Sequence, residues 1–145
     1  MIDKADFYHG AALARALDDS RCRDVARCPP GYLVNDTVLA LIKYTTKNHS
    51  PWQFTFTAED VARLQHCPDG VDRVVLALVC AGDGICTISA TAACTLLEDA
   101  AAWISVKRKF RGWYEVSGPA GRLEAKVAVK RWPEILFQDK EDSDE

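Results

Sequence analysis

At 145 residues, 48% hydrophobic and 27% charged, the chain has the size and balance of one globular domain that buries its own core. No apolar run approaches the roughly 20 residues of a membrane span. The opening Met1-Ile2-Asp3-Lys4-Ala5-Asp6 is too polar for a secretion signal, so a cytoplasmic location with no membrane partner is expected. The formal net charge is −3, and it is unevenly spread.

Asp6 to Asp19 reads as a helix, with Phe7, Ala11, Ala14 and Leu17 near one face and Leu13 beside them. Arg21 to Pro30 reads as a loop, closed by Cys28-Pro29-Pro30-Gly31. Val38 to Ile42 is five apolar residues in a row, which predicts a strand buried on both faces in the middle of a sheet. After the turn Lys47-Asn48-His49-Ser50-Pro51, Trp52, Phe54 and Phe56 alternate with Gln53, Thr55 and Thr57. That period predicts a strand buried on one face, its three rings in the core. Thr57 with Asp60 three positions on is a capping box for a helix over Ala58–His66.

Val74 to Val79 is a second inner strand. Ala81-Gly82-Asp83-Gly84 is a tight turn in which glycine supplies positive φ, and Ile85 to Ser89 is the return strand. Ala93, Leu96, Leu97 and Ala100 then fall at helical spacing. Ile104 to Phe110 alternates again, with Ile104, Val106, Arg108 and Phe110 on one side and Ser105, Lys107 and Lys109 on the other. Trp113 to Val116 is a short return strand, followed by a loop over 117–121. The Ala, Lys, Glu and Arg content of Arg122–Arg131 favours a helix. The order predicts a single α+β domain over residues 1–137, with one mixed or mostly antiparallel sheet and three to four helices. An acidic tail over 138–145 follows. There Asp139, Glu141, Asp142, Asp144 and Glu145 against Lys140 give −4, a composition expected to be disordered.

Two resemblances accompany this reading. Lys43-Tyr44-Thr45-Thr46-Lys47, Ser50-Pro51-Trp52, Phe54-Thr55-Phe56 and Gly82-Asp83-Gly84-Ile85 resemble a group of small uncharacterised bacterial proteins, to which no function is attached. The front-half order of helix, two or three strands, helix and strand resembles the restriction-endonuclease-like core. That resemblance implies an acid on one core strand and an acid-x-Lys trio on the next, holding magnesium for phosphodiester hydrolysis. Asp36 matches the first acid. The trio is missing, because Gln53 and Thr55 stand where an acid and a lysine belong, and Lys43 follows Leu41.

Six cysteines, Cys22, Cys28, Cys67, Cys80, Cys86 and Cys94, contain no Cys-x-x-Cys pair, so packed free thiols are expected, with no metal and no disulfide. No motif requires a cofactor; a P-loop is absent. Asp36 and Lys43 are weak catalytic candidates, and Asn35-Asp36 equally suits a turn. Glu59 or Asp60 is the nearest second carboxylate in sequence. His49 is the acid–base candidate by its place in a turn.

The strongest signal is charge segregation. Between Lys107 and Arg131, eight basic residues face two glutamates, a net of +6 that leaves −9 for the rest of the chain. On a strand, Lys107, Lys109 and Arg111 would line up to meet phosphates, with Trp113 and Tyr114 in reach for stacking. Lysines on a solvated edge strand, which discourage aggregation, are the simpler reading of the same residues. The chain therefore reads as a non-catalytic accessory or adaptor protein. Its expected partner is single-stranded nucleic acid or an acidic protein surface. A metal-dependent nuclease-like enzyme and a pure protein–protein interaction module are the alternatives.

Overall fold

The computed structural model describes residues 1–98 and 102–138. Helix α1 (Lys4–Asp18) leads into strands β1 (Val25–Cys28), β2 (Gly31–Val34), β3 (Val38–Thr45) and β4 (Trp52–Thr55). Helix α2 (Ala58–Gln65), β5 (Arg73–Cys80), β6 (Gly84–Ser89) and α3 (Ala90–Leu96) follow. The chain continues through β7 (Trp103–Arg108), β8 (Tyr114–Gly118), β9 (Gly121–Arg122) and a short α4 (Arg131–Glu134). The fold is α+β, but it has two sheets where the sequence suggested one. The first runs β1-β2-β3-β5-β6 and the second β4-β7-β8-β9. β3 and β5 pair in parallel; the neighbours of both in the first sheet are antiparallel.

The extra sheet follows from the shape of the alternating strand. β4 is buried at Trp52 and Phe54 and exposed at Gln53 and Thr55. Two large rings on one side of a strand fill the space over a neighbouring sheet, so β4 leaves β3 and pairs with β7, Trp52 opposite Val106. The central core therefore lies between sheets. Leu39, Leu41, Leu76 and Ile88 of the first sheet meet Trp52, Phe54, Ile104, Val106, Tyr114 and Val116 of the second. Leu64 of α2 and Ala93 and Leu96 of α3 belong to the same core. The other face of the first sheet, with Val38, Ala40, Val75, Ala77 and Val79, packs against Ala12 and Ala16 of α1 and Trp132, Ile135 and Leu136. β3 and β5 are buried on both faces because they lie inside that first sheet, as their apolar runs predict.

Several local expectations need correction. The residues 21–30 are not all loop: β1 forms by pairing Val25 with Val34 and Cys28 with Gly31. On its other side, Gly31 permits the close approach of β2 to β3, since a Cβ there would collide with the Ala40 carbonyl. Helix α1 presents the other face to the sheet. Ala12 and Ala16 are wholly buried, while Phe7 and Leu17 are 63% and 60% exposed. Small alanines let the helix axis approach the sheet, and the Trp132 indole locks it by donating to the Ala12 carbonyl at 3.1 Å.

Of Arg122–Arg131, expected to be a helix, only Arg131 is helical, as the first residue of α4. The backbone of the segment is claimed by β8, with Val127 and Tyr114 exchanging hydrogen bonds of 2.8 and 2.9 Å. Composition favoured a helix, but no apolar stripe existed to hold one against the core. Helix α3 buries Ala90, Ala93 and Leu96 and stops at Leu97, whose backbone is extended; Ala100 lies outside the described residues. The capping boxes of α1 (Asp3 with Asp6) and α2 (Thr57 with Asp60) are both formed. All six cysteines are free thiols. Burial raises the Cys80 thiol to about 12 and holds Cys86 well above its usual range. Among the described residues, no helix is long and apolar enough to cross a membrane. The acidic segment 139–145 lies outside the described residues.

Candidate nucleic-acid interface

Strand β7 is not an edge. It lies between β4 and β8, with Ile104 and Val106 fully buried beneath it. It also ends at Arg108, so Lys107, Lys109 and Arg111 do not share a strand face. Lys107 stays on β7, opposite Glu115. Lys109 to Gly112 instead form a turn closed by the Gly112 amide donating to the Lys109 carbonyl at 2.7 Å. Arg111 takes the left-handed conformation there, with φ 62°.

That turn projects the basic and aromatic residues together. Phe110 is 89% exposed and Trp113 54%. The Arg111 guanidinium lies 5.1 Å from the Phe110 ring centroid. Lys109 and Arg111 are exposed and form no ion pair among the described residues. Tyr114 does not join them. It is fully buried in the inter-sheet core, edge-on to Trp52 at 6.3 Å, and cannot stack on a base.

The root of the tip is held by a polar cluster that the sequence reading passed over. Arg108 Nη1 donates to both carboxylate oxygens of Asp83 at 3.0 Å, and Arg108 Nε donates to the Gly112 carbonyl at 2.7 Å. The Tyr114 hydroxyl donates to Asp83 Oδ2 at 2.9 Å. Burial, the nearby Cys80 and Asp83 all push the Tyr114 ionisation upward, so the hydroxyl keeps its proton and remains a donor. Asp83 thus serves as a turn residue that ties the first sheet to the second. Gly84 beside it has no room for a side chain, since a Cβ would stand 2.6 Å from the Tyr114 hydroxyl. A signal for this cluster existed: Arg108 occupies the same alternation register as Ile104 and Val106, which aims it inward.

No protein-family model, curated protein or solved structure matches this chain.

The catalytic candidates do not converge. Asp36 sits in the β2–β3 turn with φ 62°, next to Asn35 at φ 51°. Asn35 fixes that turn by accepting from the Arg23 and Asp24 amides at 2.7 and 3.0 Å. Lys43 lies seven residues further along, which at about 3.3 Å per strand residue puts it on the order of 20 Å away. Lys43 instead pairs with Asp60 at 3.1 Å and lies 4.9 Å from the Phe56 ring centroid, beside a cleft of about 150 Å³. Burial works to raise the Asp60 pKa, but the Thr57 amide and Lys43 outweigh it and the carboxyl titrates below its usual range. Glu59 points to solvent and meets Arg63 at 3.8 Å. His49 is exposed in the β3–β4 loop. Among the described residues, no group of three or more His, Cys, Asp or Glu is placed to hold a metal ion.

Lys107 opens onto a separate surface cleft of about 700 Å³, shared with Arg122, Lys126, Glu115 and Glu124. The charges there nearly cancel, and Lys126 reaches Glu115 at 3.9 Å. The geometry thus keeps Lys109, Arg111 and Trp113 together, adds Phe110, and separates Lys107 and Tyr114 from them.

Proposed function

We propose that this chain is a non-catalytic accessory protein that binds single-stranded nucleic acid through the β7–β8 tip. The observation that carries the reading is the pair of solvent-exposed rings, Phe110 and Trp113, beside the exposed cations Lys109 and Arg111, which form no ion pair among the described residues. An apolar ring held in water has an unsatisfied face, and an unpaired base offers one of matching shape. The adjacent cations suit the phosphates of the same strand, whose condensed counterions are released on contact. The Arg108–Asp83–Tyr114 cluster fixes the root of the tip, so its ordering does not have to occur on binding.

Fluorescence anisotropy with a labelled oligothymidine tests this. Binding should be sequence-tolerant and weaken steeply with salt. Lys109→Ala with Arg111→Ala should flatten the salt slope by about 1 to 2. Phe110→Ala with Trp113→Ala should weaken binding by about 1–3 kcal/mol per stacked base. Salt-dependent binding to polyglutamate that ignores the two rings would replace this reading with an acidic protein partner. Absence of binding at low salt would remove it.

A further inference from the structure

We propose that the strand is gripped from two sides, with Lys47 and His49 of the β3–β4 loop forming a second wall facing the Phe110–Trp113 tip. This rests on the reading of the tip as a nucleic-acid site. It adds both further binding residues and a ligand class, a single strand in preference to a duplex.

Two bonds place the loop. The Ser50 hydroxyl oxygen accepts from the Arg108 amide at 3.1 Å, at the point where β7 ends and the tip begins. The Trp52 indole donates to the Lys47 carbonyl at 2.8 Å. Since Trp52 is fixed in the inter-sheet core opposite Val106, the loop backbone is tied to the same rigid base as the tip. Both contacts use atoms other than the Lys47 and His49 side chains, and Lys47, Asn48 and His49 are all exposed.

Electrostatics point the same way. The three loops gathered here span residues 46–51, 81–83 and 109–113, and their sole carboxylate is Asp83. Arg108 and Tyr114 engage it with three hydrogen bonds. Among the described residues, the charges of these loops that form no ion pair are Lys47, Lys109 and Arg111. Exposed rings between two cationic walls suit a strand whose bases are unstacked and whose phosphates flank them. A duplex, with its bases already stacked on each other, can use the cations but not Phe110 and Trp113. His49 supplies a ring N–H to a phosphate oxygen alongside the Lys47 charge.

The experiment uses the full chain with labelled oligothymidine, its oligouridine counterpart and a DNA duplex. Lys47→Ala with His49→Ala should weaken binding to both single strands several-fold and flatten the salt slope by about 0.7 for the one fixed charge removed. Lys47→Arg should restore the slope. Thermal melts accompany each variant, and Lys47→Gln with His49→Gln replaces the alanine pair if that pair unfolds the loop. If the loop variants bind as the parent does while Lys109→Ala/Arg111→Ala loses affinity, the second wall is overturned and the tip reading stands. If the tip variant also binds unchanged, both fall. Duplex bound as tightly as single strand overturns the assigned ligand class.

Discussion

Asp83 shows how one residue in a hairpin turn can serve two sheets. Its carboxylate accepts two contacts from Arg108 and one from the buried Tyr114 hydroxyl. Asp83→Ala leaves that hydroxyl without its acceptor in a core setting and leaves the guanidinium without its counter-charge. The side chains of Arg108 and Asp83 are 22% and 27% exposed, so water softens the loss. A destabilisation of about 1–3 kcal/mol is expected. Asp83→Asn, which keeps an acceptor but no charge, should cost less. Chemical denaturation of the two variants checks the order, and an Asp83→Ala midpoint equal to the parent's would show that the cluster is dispensable. The turn role of Asp83 was legible from Gly82-Asp83-Gly84. Its partners were not, because they come from strands 25 and 31 residues away.

At the scale of elements, α1 separates pattern from packing. Sequence periodicity placed Phe7 and Leu17 on one apolar face of the helix, yet Ala12 and Ala16 are the residues at zero exposure. Ala16→Leu should force the helix off the sheet and cost roughly 1–3 kcal/mol. Phe7→Ser should be within about 0.5 kcal/mol of neutral. A reversed order in thermal melts would restore the face read from the sequence.

The same helix carries His9, whose Nδ1 lies 3.1 Å from the Tyr32 hydroxyl and whose ring meets Tyr44 edge-on. Burial lowers the His9 pKa from 6.5, with Asp6 and Asp3 opposing and Arg27 assisting. A folded-state value below the unfolded one means that the unfolded chain binds the proton more readily. Stability is thus fully present above about 6.5 and declines as pH falls through 6.5 toward the lowered value. The melting temperature should drop more between about pH 7.5 and 5.5 in the parent than in His9→Gln. Equal drops would mean that His9 is solvated.

For the molecule as a whole, the inter-sheet core is the joint. Phe54 is 2% exposed and contributes to the cluster that spans both sheets. Phe54→Ala should cost about 3–5 kcal/mol and lower a single cooperative transition. Two separate transitions would show that the sheets fold independently. The tip depends on the same joint, since Tyr114 and Trp52 of that core support Arg108 and Lys47 respectively.

The sequence by itself determined the inner strands β3 and β5, the one-sided burial of Trp52 and Phe54, the capping box of α2 and the α+β class. Each of these is local: a run, a period or a three-residue spacing settles it. The basic and aromatic character of 107–113 was equally plain. Only tertiary structure decided which of those residues lie together. A strand's period assigns alternate sides, but where the strand stops depends on its partners. β8 turns β7 back after Arg108, which sends Phe110 to solvent, buries Tyr114 and takes Lys107 to another face. Whether β4 lay beside β3 or above it was likewise undetermined by its alternation. That choice was made by the space available for two aromatic rings over the first sheet, a volume created by residues far away in the chain.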